Sequence, residues 1–311
     1  MSLSVFYHPD FLNHDTGTGH PERPDRLRAC VYALENCDFS NKLVWKYPRT
    51  ATEKELNWVH TEQHIEHIKK VCESGTGGLD ADTVICKESY DIALKSAGAW
   101  LDGVDEVLNN NSTFILSRPP GHHAERNRAM GFCLFSNAAL AAVAALKQTR
   151  INKVCIFDWD VHHGNGTQDI VQNNPDIYYV SIHQYPFYPG TGSQMETGKH
   201  NNVLNIPLPA GVCSNDYRSK FDEVVIPFIR KSVPDMLIIS AGFDAHYRDP
   251  LANINLQTDD FAYMTRRLQE TKTHLFVGLE GGYDLQALSE CCEAVAGVLI
   301  NDAAVKVEKH A

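Results

Sequence analysis

The sequence predicts an α/β fold in which one mostly parallel sheet carries helices on both faces. Three observations predict it. Short, continuous apolar runs at 114–116, 154–157, 236–240 and 275–279 have the length of buried strands. Helical segments separate such runs, as crossovers between parallel strands require. Each of the four runs also ends in a cluster of polar residues and glycine, and open α/β sheets gather their ligands at the carboxyl ends of strands.

The elements follow in order. Residues 24–34 read as a helix with Arg23-Pro24 at its start, where proline is tolerated. Residues 53–72 read as mostly helical and 89–108 as one long helix. Ser136 is placed to cap an alanine-rich helix that ends at Lys147. After the strand at 154–157, residues 167–171 begin another helix. Strands recur at 178–182 and 203–206, and helices at 215–230, 258–270 and 284–299. The loops 75–87, 184–198 and 248–257 are expected to rim a site, because function concentrates on loops held by a rigid scaffold.

A chain of 311 residues suits one large α/β domain or two small ones. No linker rich in proline, serine or glycine divides it, and the motifs from Arg118 to Tyr283 belong to one sheet, so residues 1–311 read as a single domain. The net charge of −11 argues against direct nucleic-acid binding, which needs a basic face, and is compatible with cationic substrates. Nine cysteines without a CxxC pair, in a chain this long, point to a reducing, cytoplasmic compartment rather than a disulfide framework. The longest run of small apolar residues, 138–146, is too short to cross a membrane. Residues 1–15 lack the basic-then-apolar pattern of a signal peptide. Oligomeric state is left open.

The most informative segment is Asp158-Trp159-Asp160-Val161-His162-His163-Gly164-Asn165-Gly166. Asp160 and His162 are two apart, so in extended chain they point to one side and make half a zinc site. For this segment alone, a turn capped by Asp158 or Asp160 is the competing interpretation. The end of the run at 236–240 adds Asp244. Asp160, His162 and Asp244 then supply three ligands and leave a fourth position open, as hydrolytic zinc sites require. His122 and His123 are candidate proton carriers, and Tyr283 a candidate donor to an oxyanion. His163 reads as a supporting residue, and His183 and His246 lie near the crevice without a role. His60, His64 and His67 share a helical stripe expected to face solvent. Cys133 and Cys155 read as buried small apolar residues.

Taken in order, these motifs resemble the zinc-dependent histone deacetylase family, which has the arginase-like α/β fold. The resemblance runs from His20-Pro21-Glu22-Arg23-Pro24 through Arg118-Pro119-Pro120-Gly121-His122-His123-Ala124, the segment 158–168, Ser240-Ala241-Gly242-Phe243-Asp244 and Glu280-Gly281-Gly282-Tyr283. Asn165, where class I members carry Asp, resembles the class II branch and its bacterial relatives. The resemblance implies one catalytic zinc per chain, hydroxamate sensitivity, and a structural potassium ion at Asp158, Asp160, His162, Ser181 and Ile182. It implies that His123 is the general base and His122 its electrostatic partner, the first held by Asn165 and the second by Asp158. A carboxylate stabilises an imidazolium more than a neutral amide does, so His122 is expected to be the more cationic and His123 to stay neutral. Phe132, after Gly131, matches one aromatic tunnel wall and Tyr188 the facing one. Asp82, two residues from Asp80, matches an acidic residue that binds the substrate backbone, and Arg23 a residue lining an internal acetate channel.

The expected activity is removal of acetyl or related acyl groups from the Nε amine of lysine in a peptide or protein, or from a small acylated amine. An acetylpolyamine amidohydrolase would use the same site, but its relatives carry an acidic gatekeeper where this chain has the neutral Leu251. A two-metal, arginase-like hydrolase needs more carboxylates than are present. A silent acetyl-lysine-binding module has no need of His122, His123 and Tyr283, and relatives with His at the tyrosine position deacetylate poorly.

Overall fold

The computed structural model describes residues 2–75 and 77–301; residues 1, 76 and 302–311, and with them the two ends of the expected domain, lie outside the described residues. The strands are β1 (Leu3–Phe6), β2 (Leu43–Lys46), a short antiparallel pair β3 (Gly77–Gly78) and β4 (Val84–Ile85), β5 (Ser112–Ile115), β6 (Val154–Asp158), β7 (Ile177–Gln184), β8 (Val203–Leu208), β9 (Met236–Ala241) and β10 (His274–Leu279). Eight of them form one sheet in the order β2-β1-β5-β10-β9-β6-β7-β8, and every pairing in it is parallel. The apolar runs read from the sequence are its central strands. β1 and β2 were not read as strands from the sequence: both are short runs with no motif at their ends, and β2 is an edge strand whose Val44 and Trp45 are exposed.

Strands β6, β7 and β8 step away from the middle of the sheet in one direction, and β9 returns to the other side of β6. The junction of β6 and β9 is thus a topological switch point, where open α/β sheets form a crevice at their carboxyl ends. The register levels those ends. Asp158 of β6 pairs with Ser240 of β9 and Ser181 of β7, and Ser240 pairs with Gly278 of β10.

Helix Ser89–Leu108 packs on Asn137–Leu146, and both lie against the central strands. A second helical layer joins the two ends of the chain: Asp25–Asn36 packs on Leu285–Asn301, which packs in turn on Thr258–Gln269. The core is continuous, with Trp100, Trp159 and Phe114 fully buried. No helix among the described residues is long and apolar enough to cross a membrane. All nine cysteines are unpaired, and Cys133 and Cys155 are buried.

Four local expectations are refined or corrected. The segment 53–72 is two helices, Glu53–Leu56 and Glu62–Glu73, because Thr61 caps the second by accepting from the His64 N–H. The histidine stripe is not a solvent face: His60 and His64 are buried and stack at 4.7 Å, and only His67 is exposed. Burial lowers the pKa of His60 to about 3, so it is a neutral ring, and its Nε2 accepts the Ser136 N–H at 2.9 Å. Ser136 does stand at the N-cap of Asn137–Leu146, but its hydroxyl makes no capping bond. The helix expected at 215–230 runs as Ser214–Lys220, a π-helical turn Phe221–Val225, and Ile226–Ser232. Pro227, in the first turn of the last piece, has no amide hydrogen to continue the α-helical ladder.

Candidate active site

β6 ends at Asp158, and the chain turns through residues 159–164 before helix Asn165–Val171 begins. Gly164 is the N-cap and no side chain caps this helix, so neither aspartate serves as a cap. Asp160 and His162 converge across this turn rather than along a strand. His162 Nδ1 lies 3.1 Å from Asp160 Oδ1 and 3.1 Å from Asp244 Oδ2. The three ligand atoms lie within 4.8 Å of one another, and both carboxylates are fully buried. Their outer lone pairs are fixed by backbone: Asp160 Oδ2 accepts the Gly281 N–H and Asp244 Oδ1 the Val161 N–H, each at 2.9 Å. Gly242 and Gly281 are glycines for a steric reason. A Cβ on Gly242 would stand 2.0 Å from Asp160 Oδ2, and one on Gly281 2.4 Å from oxygens of both aspartates.

This donor set fits a divalent ion. Two carboxylate oxygens and one imidazole nitrogen converge beside an open pocket that His162 lines, a three-ligand set able to hold one metal ion with a position left open. The electrostatics point the same way. Burial and the neighbouring Asp160 push the Asp244 carboxyl up to about 7. Carboxylates this deep need a compensating positive charge.

His122 and His123 sit beside the triad with very different surroundings. Burial opposes a charge on His122, but Asp160 and Asp158 outweigh it and raise its pKa to about 10. Asp158 Oδ2 lies 3.1 Å from His122 Nδ1 and also accepts the Tyr179 hydroxyl at 3.1 Å. For His123, burial and the charge on His122 act together and hold the pKa well below its ordinary value. Its Nδ1 lies 2.8 Å from Asn165 Oδ1. The asymmetry expected from a carboxylate at one position and an amide at the other is therefore present.

The pocket above these groups has aromatic walls. It is lined by Phe132, Phe187 and Tyr188, with Pro21, Asp82 and Leu251 at its sides and His123, His162 and Tyr283 reaching in. Each of the three predicted rim loops contributes to it. Phe187 lies flat against the His162 ring at 5.4 Å, and Tyr188 stands edge-on to His123 at 5.2 Å. Gly131 also lines the pocket, and a Cβ there would stand 2.4 Å from His123 Cδ2. Phe132, held at φ +70 beside it, donates its N–H to Thr83 Oγ1 at 3.1 Å, which ties the wall to the 75–87 loop. That loop separates its two acids: Asp82 lines the pocket, while Asp80 accepts from the N–H groups of Asp82 and Thr83. Tyr283 stands edge-on to Phe132 at 5.9 Å, and burial raises its pKa so that its hydroxyl stays protonated. Ser181 and Ile182 are buried in β7 next to Asp158, with Ser181 Oγ 2.8 Å from His183 Nδ1. His163, as expected of a supporting residue, bonds Thr191 and Gln168.

Arg23 does not line an interior channel. It is exposed and pairs with Asp25 at 3.6 Å. One helical turn on, Arg26 is fully buried. It donates to the carbonyls of Glu280 and Gly282 and to Glu22 Oε1, and its guanidinium lies 5.1 Å over the Tyr283 ring. Arg118 also donates to both Glu22 oxygens. Sequence reasoning missed this group, together with two organising acids. Glu280 accepts from the N–H groups of Gly121 and His122 and from the Ser240 hydroxyl, so it joins three strand ends. Asp249 accepts from the N–H groups of Leu251 and Tyr283, and so ties the rim to the tyrosine. The signal for Glu22, Arg118 and Glu280 was their position inside motifs that also held better-known chemistry. Nothing in the sequence marked Arg26.

Residues 20–299 match the family model described as the histone deacetylase domain. The chain is 47% identical over 292 residues to an uncharacterised protein of Synechocystis sp., covering 93% of this chain and 96% of that protein. It is 38% identical over 284 residues to a probable deacetylase of Methanothermobacter thermautotrophicus, covering 90% and 84% of the two chains. It is 34% identical over 288 residues to a histone deacetylase-like amidohydrolase of Pseudomonas aeruginosa, covering 89% and 76%. The crystal structure of the HDA15 HD domain superposes with a TM-score of 0.93 at 37% identity, over 97% of this chain and 90% of that one.

Proposed function

This chain belongs to the histone deacetylase family, and we propose that it is a single-domain, zinc-dependent deacylase that releases acetyl groups from the Nε amine of lysine. One observation carries the proposal: Asp160 and Asp244 converge on His162, which with His123 and Tyr283 lines an aromatic-walled pocket. The amidohydrolase and probable deacetylase among the relatives support amide hydrolysis as the reaction class.

A zinc ion held by Asp160, His162 and Asp244 would polarise an amide carbonyl and acidify water. The chain's own residues do the rest. Phe132, Phe187 and Tyr188 flank an alkyl stem and keep bulk water from it. Leu251 adds no charge to the pocket lining, and Asp82, which also lines it, would accept a backbone N–H of a peptide substrate. His123 is the base. Its Nδ1–H donates to Asn165, which leaves the Nε2 lone pair to take a proton from the attacking water and later return it to the leaving amine. His122 keeps its own proton, held by Asp158, and offsets negative charge nearby. The Tyr283 hydroxyl donates to the oxyanion as it develops. A potassium ion is proposed at Asp158, Asp160, His162, Ser181 and Ile182, where it would offset carboxylate charge that His122 alone does not balance.

The test of substrate class is a side-by-side comparison of kcat/KM on acetyl-lysine peptides, longer acyl-lysine peptides and N-acetylputrescine. The proposal expects acetyl-lysine peptides to be turned over best. Faster turnover of the acetylpolyamine would overturn the lysine assignment and leave the deacylase chemistry standing. No turnover of any of the three by metal-replete protein would overturn both.

A further inference from the structure

We infer that Glu125 chooses the tautomer of His123, acting through Asn165. The inference rests on the proposed role of His123 as base and adds a positioning residue to it. Asn165 is the intermediary. Its Oδ1 faces His123 Nδ1 at 2.8 Å, and its Nδ2 donates to Glu125 Oε1 at 2.8 Å. A side-chain amide is nearly symmetric in shape, but turning it over exchanges an acceptor for a donor. Turned over, Asn165 would donate to His123 Nδ1. The neutral ring would then carry its proton on Nε2, the atom that must receive a proton from water. Asn165 alone does not decide between the two orientations.

The groups behind it do. Glu125 Oε1 and Met130 Sδ, the latter at 3.4 Å, both face Asn165 Nδ2. A carboxylate oxygen only accepts, and a thioether is at most a weak acceptor. Both require the amide nitrogen on their side, which places Oδ1 on the side of His123. Glu125 is itself fixed. Because His60 Nε2 accepts the Ser136 N–H, the proton of that ring is on Nδ1, which donates to the Glu125 carbonyl at 3.1 Å. The Glu125 N–H donates to the Arg128 carbonyl at 2.9 Å. The buried His60 thus anchors the segment that orients the base. A carboxylate at position 165 would need no such guide, since both of its oxygens accept. The need for Glu125 follows from the amide.

The test is a cycle of two isosteric changes on the metal-replete enzyme. In Glu125→Gln the new amide presents either a donor or an acceptor, so both orientations of Asn165 become available. If the two are equally populated, kcat falls by about twofold. KM should stay unchanged, because the substrate touches neither residue. In the Asn165→Asp background the same Glu125→Gln change should not lower kcat. There is then no wrong orientation to adopt, and the change removes a clash between two carboxylates. The second readout is the ring 15N spectrum of His123. The parent protein should show the proton on Nδ1, and Glu125→Gln should introduce the Nε2–H form. Equal fractional losses of kcat in both backgrounds would overturn the inference, as would a ring that keeps the Nδ1–H form in Glu125→Gln. Absence of turnover in every variant would count against the proposed function, and the 15N spectra would still decide the role of Glu125.

Discussion

The rings of His122 and His123 lie 4.0 Å apart, centroid to centroid, yet their environments drive them to opposite charge states. They share one turn after β5, so backbone position does not separate them. Their partners do: His122 Nδ1 faces a buried carboxylate and His123 Nδ1 an amide oxygen. Once the first ring is charged, its field presses the second towards neutrality. The two adjacent rings thus differ in charge, protonation being favoured on His122 and disfavoured on His123.

Replacing Tyr283 by Phe tests the oxyanion donor. The ring contacts with Phe132 and Arg26 survive the change, so fold and metal content should be retained. Loss of one such donor commonly costs roughly a hundredfold in kcat. KM should move much less, because the bond strengthens in the transition state. A kcat within about twofold of the parent, where chemistry limits the rate, would remove the donor role.

Glu22 carries the sharpest stability prediction. It is fully buried between Arg118 and Arg26. Burial alone would raise its pKa, but Arg118 and then Arg26 outweigh that and hold it well below the carboxylate range. A depressed folded pKa means the contribution is complete above the unfolded value of about 4.3 and fades as pH falls through the folded one. Glu22→Gln leaves two buried cations under-compensated and should cost about 3–5 kcal/mol at neutral pH. In urea titrations across pH, the gap between parent and variant should narrow below about pH 4. A gap that is the same at pH 3 and pH 7 would rule out the charged pairing as its source.

Leu251 governs a selectivity prediction. It lines the pocket mouth without charge. An acetylated polyamine carries an internal ammonium near that point, and a lysine stem does not. Leu251→Glu should shift the kcat/KM ratio towards acetylspermidine, tenfold for every 1.4 kcal/mol of new interaction. Zinc content should not change, because Leu251 is no ligand. A ratio indifferent to the substitution would place the selecting charge elsewhere on the rim, with Asp82 the first candidate.

The central strands were legible from short-range pattern, and the convergence of Asp160, His162 and Asp244 from the motifs that follow those strands. Continuous apolar runs such as 236–240 admit few alternatives to a buried parallel strand, and the register of such strands delivers Asp158, Asp160 and Asp244 to one crevice. What stayed hidden depends on distance through the fold. Arg26 meets Glu280 and Gly282 across about 250 residues of chain, so helical periodicity gave no reason to prefer it to Arg23. His60 and His64 carry helical spacing whether they face solvent or core, and only their bonds to Ser136 and to the Leu134 carbonyl decide it. β2 was missed because Leu43–Lys46 is a half-exposed edge strand whose short apolar run ends in no cluster of chemically telling residues.

The most direct test of the account is metal content measured together with turnover of an acetyl-lysine peptide. Parent protein should bind one zinc ion per chain, lose activity on chelation and regain it on reloading. Asp244→Ala should lose both together, because two remaining ligands hold the ion poorly. Undiminished turnover by metal-free parent protein, or by Asp244→Ala without bound metal, would contradict the account at its base.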